Sequence, residues 1–254
     1  MRSIDLNADL GEGYGPWTMG DDAAMLDIVS SANVACGGHA SDPDTMARTL
    51  LLAKARGVIT GAHPSYPDKE GFGRRRLPST ADEIERFVAA QVGALIAIGR
   101  LVGQPVRYVK PHGALANVAA AEAPVAAAIV RAVRAIDPGL AVLAISGTVL
   151  ERVARAEGLT AYSEIFADRG YTPAGHLVPR SEPGAMISDG AAASERLLDF
   201  LDSGEMPTVS GAPVQLAVDS VCIHGDSPHA VAMARHIRAA FHARGVAITA
   251  FLRP

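Results

Sequence analysis

Cysteine, aromatic side chains and long apolar runs are all scarce in this 254-residue chain, and each shortage removes a class of protein. Its two cysteines, Cys36 and Cys222, both sit in apolar, strand-like runs, SANVACGG and DSVCIHGD. That is no disulfide framework; reduced, buried thiols and a cytoplasmic location are expected. A membrane helix needs about 18 or more consecutive apolar residues, and none is found. The opening MRSIDLNADLGEG carries acidic residues where a signal peptide needs an apolar stretch, so a protein that is neither exported nor membrane-bound is expected. A formal charge of −4 and a pI of about 6.1 give no cationic footprint for nucleic acid or an anionic membrane. Functional signatures are missing too: no Gly-x4-Gly-Lys-Ser/Thr phosphate loop, no Gly-x-Gly-x-x-Gly after a strand, no Gly-x-Ser-x-Gly elbow and no His-Glu-x-x-His pair. Nucleotide binding by a standard cradle, acyl-serine chemistry and zincin proteolysis all lose support.

What is present is alternation. Short β-branched runs hand over to Ala- and Leu-rich stretches of helical period along most of the chain. Strands are predicted at 3–6, 33–36, 58–61, 106–109, 140–145, 160–166, 221–224 and 246–251, with a strand-like insertion around 208–218. Helices are predicted at 21–30, from Ser41-Asp42-Pro43 to Gly57, from the Thr80/Glu83 capping signal through Ile98, and at 119–136, 148–157, 191–201 and 228–243. The order implies parallel strands joined by right-handed crossovers. One α/β domain over residues 1–254 is expected, a TIM-like (β/α) barrel of about seven strands. The segment 168–188, rich in Gly and Pro and without a period, reads as a functional loop or lid.

Polar clusters recur at the ends of these strands, and in a parallel barrel all those ends open on one face. The clusters are Asn7, Asp9 and Glu12; Cys36 to His39; His63; Lys110 and His112; Asp168 and Arg169; and His224 with Asp226. If the first strand runs on, Asp5, Asn7 and Asp9 share its inward face, where an unpaired carboxylate is costly unless it has a ligand or proton to handle. The plainer reading has Asp9 capping a turn at Gly11. Gly37-Gly38 before His39 could expose amides to an oxyanion, and Pro64 would fix the exit of His63. Lys110, at the end of an apolar strand and before Pro111-His112, must meet an anion: a substrate oxygen, or an internal carboxylate such as Asp5 or Glu164. His112 beside it offers an acid or base. Arg74, in Gly-Phe-Gly-Arg-Arg-Arg, and Arg180 could reach inward as carboxylate or phosphate clamps.

At these residues the chain resembles the LamB/YcsF family. The matching segments are DLNADLGEG, ANVACGGHASDP, GAHPSYPD, GFGRR, VKPHGAL, FADRGY, LVPR and CIHGD, which span most of the chain in order. One departure is visible: the family commonly continues the lysine segment with Tyr-Asn, and here Ala116-Asn117 stands. The resemblance implies a subunit of an ATP-dependent 5-oxoprolinase, opening 5-oxo-L-proline to L-glutamate, with two partner subunits and the ATP site elsewhere in the complex. From the strand-end geometry, Asp9, His39, Lys110 and His112 are expected to be its catalytic residues. Asn7, Glu12, His63, Arg74, Asp168, Arg169, Arg180, His224 and Asp226 would line the substrate site. It further implies a barrel akin to the sugar deacetylases, and with it an alternative: metal-dependent hydrolysis of a small amide or amino sugar. Asp9, His39 and His63 would then hold the metal. The deacetylase pattern of paired aspartates and a close His-x3-His is absent, and Asp42 follows His39 instead.

Overall fold

Alternation of side chains along the first strand sets the architecture. In the computed structural model, which describes residues 2–225 and 229–252, β1 (Ser3–Leu10) is buried from Ile4 onward. Ile4, Leu6, Ala8 and Leu10 pack outward into the apolar layer beneath the helices. Asp5, Asn7 and Asp9 point inward and bond across the barrel. The strand continues to Leu10, beyond the predicted end at residue 6, because its inward polar groups find partners on every neighbouring strand.

Around the barrel β1 is followed by β2 (Ser31–Ala35), β3 (Ile59–His63), β4 (Val106–Val109), β5 (Ala141–Ile145) and β6 (Ala161–Phe166), each parallel to the last. The insertion predicted near 208–218 is a small antiparallel ribbon, β7 (Glu205–Met206) with β8 (Val214–Gln215), outside this sheet. β9 (Ser220–Ile223) then pairs with both β6 and β1 and closes a seven-stranded parallel barrel. The last predicted strand shrinks to β10 (Ala247–Ile248), which pairs only with Ser3 and Ile4. Beyond it Phe251 turns under the barrel, 5.0 Å from the Tyr108 ring and 4.7 Å from Tyr162, and plugs the end away from the site.

The helices α1 (Asp22–Leu26), α2 (Pro43–Arg56), α3 (Ala81–Val102), α4 (Gly113–Ala121), α5 (Ala123–Ile136), α6 (Val149–Ala156), α7 (Gly190–Ser203) and α8 (Ala230–Ala243) surround the strands. Their starts follow the capping chemistry: Asp42 accepts from the amides of Asp44 and Thr45 ahead of α2, and Thr80 and Glu83 form a reciprocal capping box for α3. α1 stops at Leu26, short of its predicted end. The alanine-rich stretch is two helices rather than one, broken at Glu122 where Pro124 starts a new first turn. Val88, Val92 and Leu95 of α3 pack with Ile129 and Val133 of α5, and each such fully buried side chain contributes roughly 1.5–3 kcal/mol. No single helix among the described residues is long and apolar enough to cross a membrane.

Segment 168–188 is irregular but tied down. Bridges join Arg169 to Met186 and Tyr171 to Leu177, and the Phe166 amide donates to the Tyr171 hydroxyl at 2.9 Å. Arg196 on α7 donates to the carbonyls of Phe166, Ala167 and Arg169, which anchors the base of the segment.

Candidate active site

The interior of the barrel is polar for most of its height, and its strands are spaced so that the polar groups satisfy one another from the bottom up. At the lower level Asp5 accepts from Ser30 at 2.6 Å, Ser31 at 2.7 Å and Ser220. Burial pushes its carboxyl up to about 6. Asn7 donates to Glu164 and Ser220, Asn33 donates to Asn7 and Asp9, and Tyr108 donates to Asn33. Space for Tyr108 comes from Gly61, where a Cβ would lie 2.3 Å from the ring.

Lys110 stands on top of this layer. Its Nζ lies 2.9 Å from Asp9 Oδ1 and 2.9 Å from Glu164 Oε1, with Cys222 Sγ at 3.1 Å. Burial disfavours the ammonium, but Asp9 foremost among its neighbours holds its pKa above the ordinary value. Glu164 responds in the opposite sense: burial raises its pKa despite the lysine, so Asp9 is the carboxylate that answers Lys110. Of the two internal carboxylates named from the sequence, Lys110 meets Glu164, and Asp9 stands in place of Asp5. Asp9 does not cap Gly11; that amide bonds to Asp22.

Above Lys110 three imidazoles meet. His39 and His112 stack with centroids 3.7 Å apart, and His63 meets both edge-on. His63 Nδ1 bonds to the Lys110 carbonyl at 2.7 Å and His112 Nε2 to the Phe72 carbonyl at 2.9 Å. The remaining nitrogens, His63 Nε2 and His112 Nδ1, face each other at 3.0 Å. Phe72 reaches its position with φ of 53°, a strained value for a side chain of that size, and Gly73 follows at 64°, where a Cβ would lie 2.9 Å from both His39 and His112. His39 Nε2 bonds to Glu12 Oε1 at 3.1 Å, and its Nδ1 is buried with no partner among the described residues. Burial lowers the pKa of His39 to about 3, and burial together with His39 lowers that of His112, so both rings are neutral.

A cavity of about 500 Å³ opens beside this cluster. Asp9, His63, Lys110, His112, Glu164 and His224 form its polar floor, and Arg74 and Arg180 lie at its edge. Ile145, Phe166, Leu177 and Val178 supply an apolar wall. Across the cavity His224 Nδ1 is 2.8 Å from Asp168 Oδ2. Burial opposes both charges, yet each partner outweighs it: His224 is raised and Asp168 lowered, so they form an ion pair.

The strand-end residues Asn7, Asp9, Glu12, His39, His63, Lys110, His112, Asp168 and His224 therefore converge, whereas some expected roles fall to other groups. Arg169 lines the cavity but spends its guanidinium on the carbonyls of Val178 and Ala185, so it supports the loop. Gly38 is packed against Gln91, whose Oε1 would be 2.3 Å from a Cβ, in place of an oxyanion contact. Among the described residues the donor atoms that cluster for a metal belong to Asp9, Glu12, His63 and His112, all within 4.8 Å of one another, not to the expected Asp9, His39 and His63. A second group joins Asp9, Cys222 and His224. Asp226 lies outside the described residues. From sequence Glu164 reads only as a partner for Lys110; its place two residues before Phe166 in an inward-facing register marks it as part of the floor.

The chain is similar to known proteins over nearly its full length. Residues 4–253 match the LamB/YcsF family model. A relative from Azorhizobium caulinodans, named as a subunit of 5-oxoprolinase, is 52% identical over 251 residues, covering 99% of each chain. One of the same name from Gluconobacter oxydans is 50% identical and covers 98% of each. The crystal structure of a lactam utilization protein from Thermus thermophilus superposes with a TM-score of 0.92 at 42% identity, over 98% of this chain and 99% of the other. A deacetylase, T48, shares the fold alone, with a TM-score of 0.50 at 14% identity over 98% of this chain and 88% of its own. On the family match and on identity over nearly its whole length, the chain belongs to the LamB/YcsF family.

Proposed function

We propose that this chain is the ring-opening subunit of an ATP-dependent 5-oxoprolinase. The observation that carries the reading is the buried Lys110 ammonium, presented to a small cavity between Asp9 and Glu164, in a chain whose full-length relatives bear that enzyme's name. The net reaction takes 5-oxo-L-proline, ATP and two waters to L-glutamate, ADP and phosphate. An unstrained five-membered lactam is a poor electrophile, so a partner first transfers the γ-phosphoryl group of ATP to the lactam oxygen. The nucleotide site belongs to that partner, and two partner subunits in the cytoplasm complete the enzyme.

Ring opening yields γ-glutamyl phosphate, from which the second water of the net reaction releases phosphate. In the ring-opening step itself the C=N electron pair moves to nitrogen as the first water adds to the ring carbon, and Lys110 opposes the negative charge on the phosphorylated oxygen beside it. The cluster of Asp9, His63 and His112 orients that water. His224, held protonated by Asp168, gives its proton to the departing ring nitrogen. Arg74 and Arg180 meet the anionic groups of the substrate at the edge of the cavity. His39 touches Glu12 and not the cavity, so it positions the cluster in place of the catalytic role its sequence position suggested.

Reconstitution tests the reading. Glutamate release is measured for the chain alone, the partners alone and the mixture, with and without ATP. Activity confined to the mixture with ATP is expected; glutamate formed at an equal rate without this chain would remove it from the reaction. The clustered donors favour a second reading, metal-dependent hydrolysis of an amide by the barrel alone. Release of acetate or amine by the isolated chain without ATP would establish it.

A further inference from the structure

We infer that Asp9, Glu12, His63 and His112 form a binding site for one divalent first-row cation, with His39 as the residue that positions Glu12. The central observation is the pair of facing nitrogens. Each ring has its far nitrogen bonded to a backbone carbonyl, His63 Nδ1 to Lys110 and His112 Nε2 to Phe72, and a carbonyl only accepts. The far nitrogens therefore carry protons, and whenever both rings are neutral the lone pairs of His63 Nε2 and His112 Nδ1 face each other at 3.0 Å. Something positive belongs between them. A single proton would join only those two atoms, whereas carboxylate oxygens approach the same point from two further directions. Asp9 Oδ2 lies 3.3 Å from His63 Nε2, and Glu12 Oε1 lies 3.8 Å from His112 Nδ1. All four donor atoms fall within 4.8 Å of one another, and small side-chain rotations bring the widest pairs inside the about 4.4 Å that two bonds of about 2.2 Å to one central ion allow.

The surroundings are those of a metal site. Asp9 spends Oδ1 on Asn33 and Lys110, which leaves Oδ2 for the centre. Each ligating imidazole is fixed in orientation and tautomer by its carbonyl bond, the support that metal-bound histidines regularly have. His39 bonds to Glu12 Oε1 and stacks on His112, so it holds one ligand by hydrogen bond and a second by contact. The strained Phe72 supplies the carbonyl that fixes His112. Two imidazole nitrogens with two carboxylates suit Zn²⁺, Mn²⁺ or Fe²⁺ better than Mg²⁺ or Ca²⁺. The inference does not rest on the ring-opening reading.

The test needs neither substrate nor partner. The full chain, stripped with a chelator, is titrated with ZnSO₄ by calorimetry and with CoCl₂ by visible absorption. One equivalent of Zn²⁺ is expected, with a Co²⁺ spectrum showing nitrogen ligation and a rise in Tm. His112→Ala should abolish binding, and Glu12→Gln should weaken it. His39→Ala, as loss of a positioning residue, should lower affinity about 10- to 100-fold while circular dichroism shows the fold retained. No binding to the wild-type chain at millimolar Zn²⁺, or equal binding by wild type and His112→Ala, would overturn the site. Imidazole ¹⁵N spectra that show one proton shared by His63 and His112, unchanged by Zn²⁺, would overturn it as well. Failure here leaves the reconstitution assay untouched, and failure of that assay leaves this site standing.

Discussion

The lower and upper halves of the barrel interior are both buried and polar, yet they are finished differently. Below, Asp5 has three hydroxyl donors, Tyr108 and Asn33 answer each other, and Phe251 seals the end. Above, His39 Nδ1 has no partner among the described residues, two imidazole nitrogens face each other, and the loop that holds them is strained at Phe72. A polar layer whose groups are all paired makes the fold specific. One that stays incomplete in a protein's interior is kept so for a ligand. Asp5 and Asp9, two inward carboxylates four positions apart on one strand, thus divide into a structural and a functional residue.

The division fails most visibly if the upper half proves dispensable. His224→Gln removes the proposed acid and should lower turnover per folded, assembled molecule about 10²- to 10⁴-fold, with a fall in Tm as well because Asp168 loses its buried partner. Retained turnover would take His224 out of the mechanism. From below, Asp5→Asn should act on stability alone. Because the folded pKa of Asp5 is about 6 against an ordinary 3.8, the folded state holds a proton there that the unfolded state releases. Stability in the wild type therefore falls as pH rises from about 4 to 6, by on the order of 3 kcal/mol from this group. Denaturant unfolding of the two proteins across that range should show the asparagine variant without this decline; parallel curves would contradict it.

Gly61→Ala probes the lower half again, since its Cβ would press on the Tyr108 ring, which does not line the cavity. A loss of about 1–3 kcal/mol in denaturant unfolding is expected, with turnover per folded molecule unchanged. The smallest effect belongs to Asp168→Asn. Without the carboxylate, His224 loses the interaction that outweighs its burial, so its pKa drops and the alkaline limb of kcat/KM moves to lower pH. A pH–rate profile that does not move would show that His224 titration does not govern the rate.

Much of this was legible in the sequence because strand ends in a parallel barrel share one face. Alternation placed Asp5, Asn7 and Asp9 inward, and the Lys-Pro-His segment fell where the barrel opens. Depth was not legible. His39 and Glu12 both follow strands, but only coordinates show that Gly11, at φ of 68°, turns Glu12 back into the cluster while His39 stays behind it. The helix break at Glu122 was hidden because alanine favours helix on both sides and Pro124 is equally at home in a first turn. The last strand failed because Val246 to Phe251 has the pattern of a strand, although the ring was already closed by β9 and left only β1's first residues to pair.

The decisive experiment is glutamate formation from 5-oxo-L-proline and ATP by the assembled enzyme carrying Lys110→Ala, set beside Asp5→Asn. A fall of about a hundredfold or more is predicted for the lysine variant, and turnover within a few-fold of wild type for the aspartate variant. Near-normal turnover without Lys110, in a chain shown to be folded and assembled, would contradict the role given to its buried ammonium.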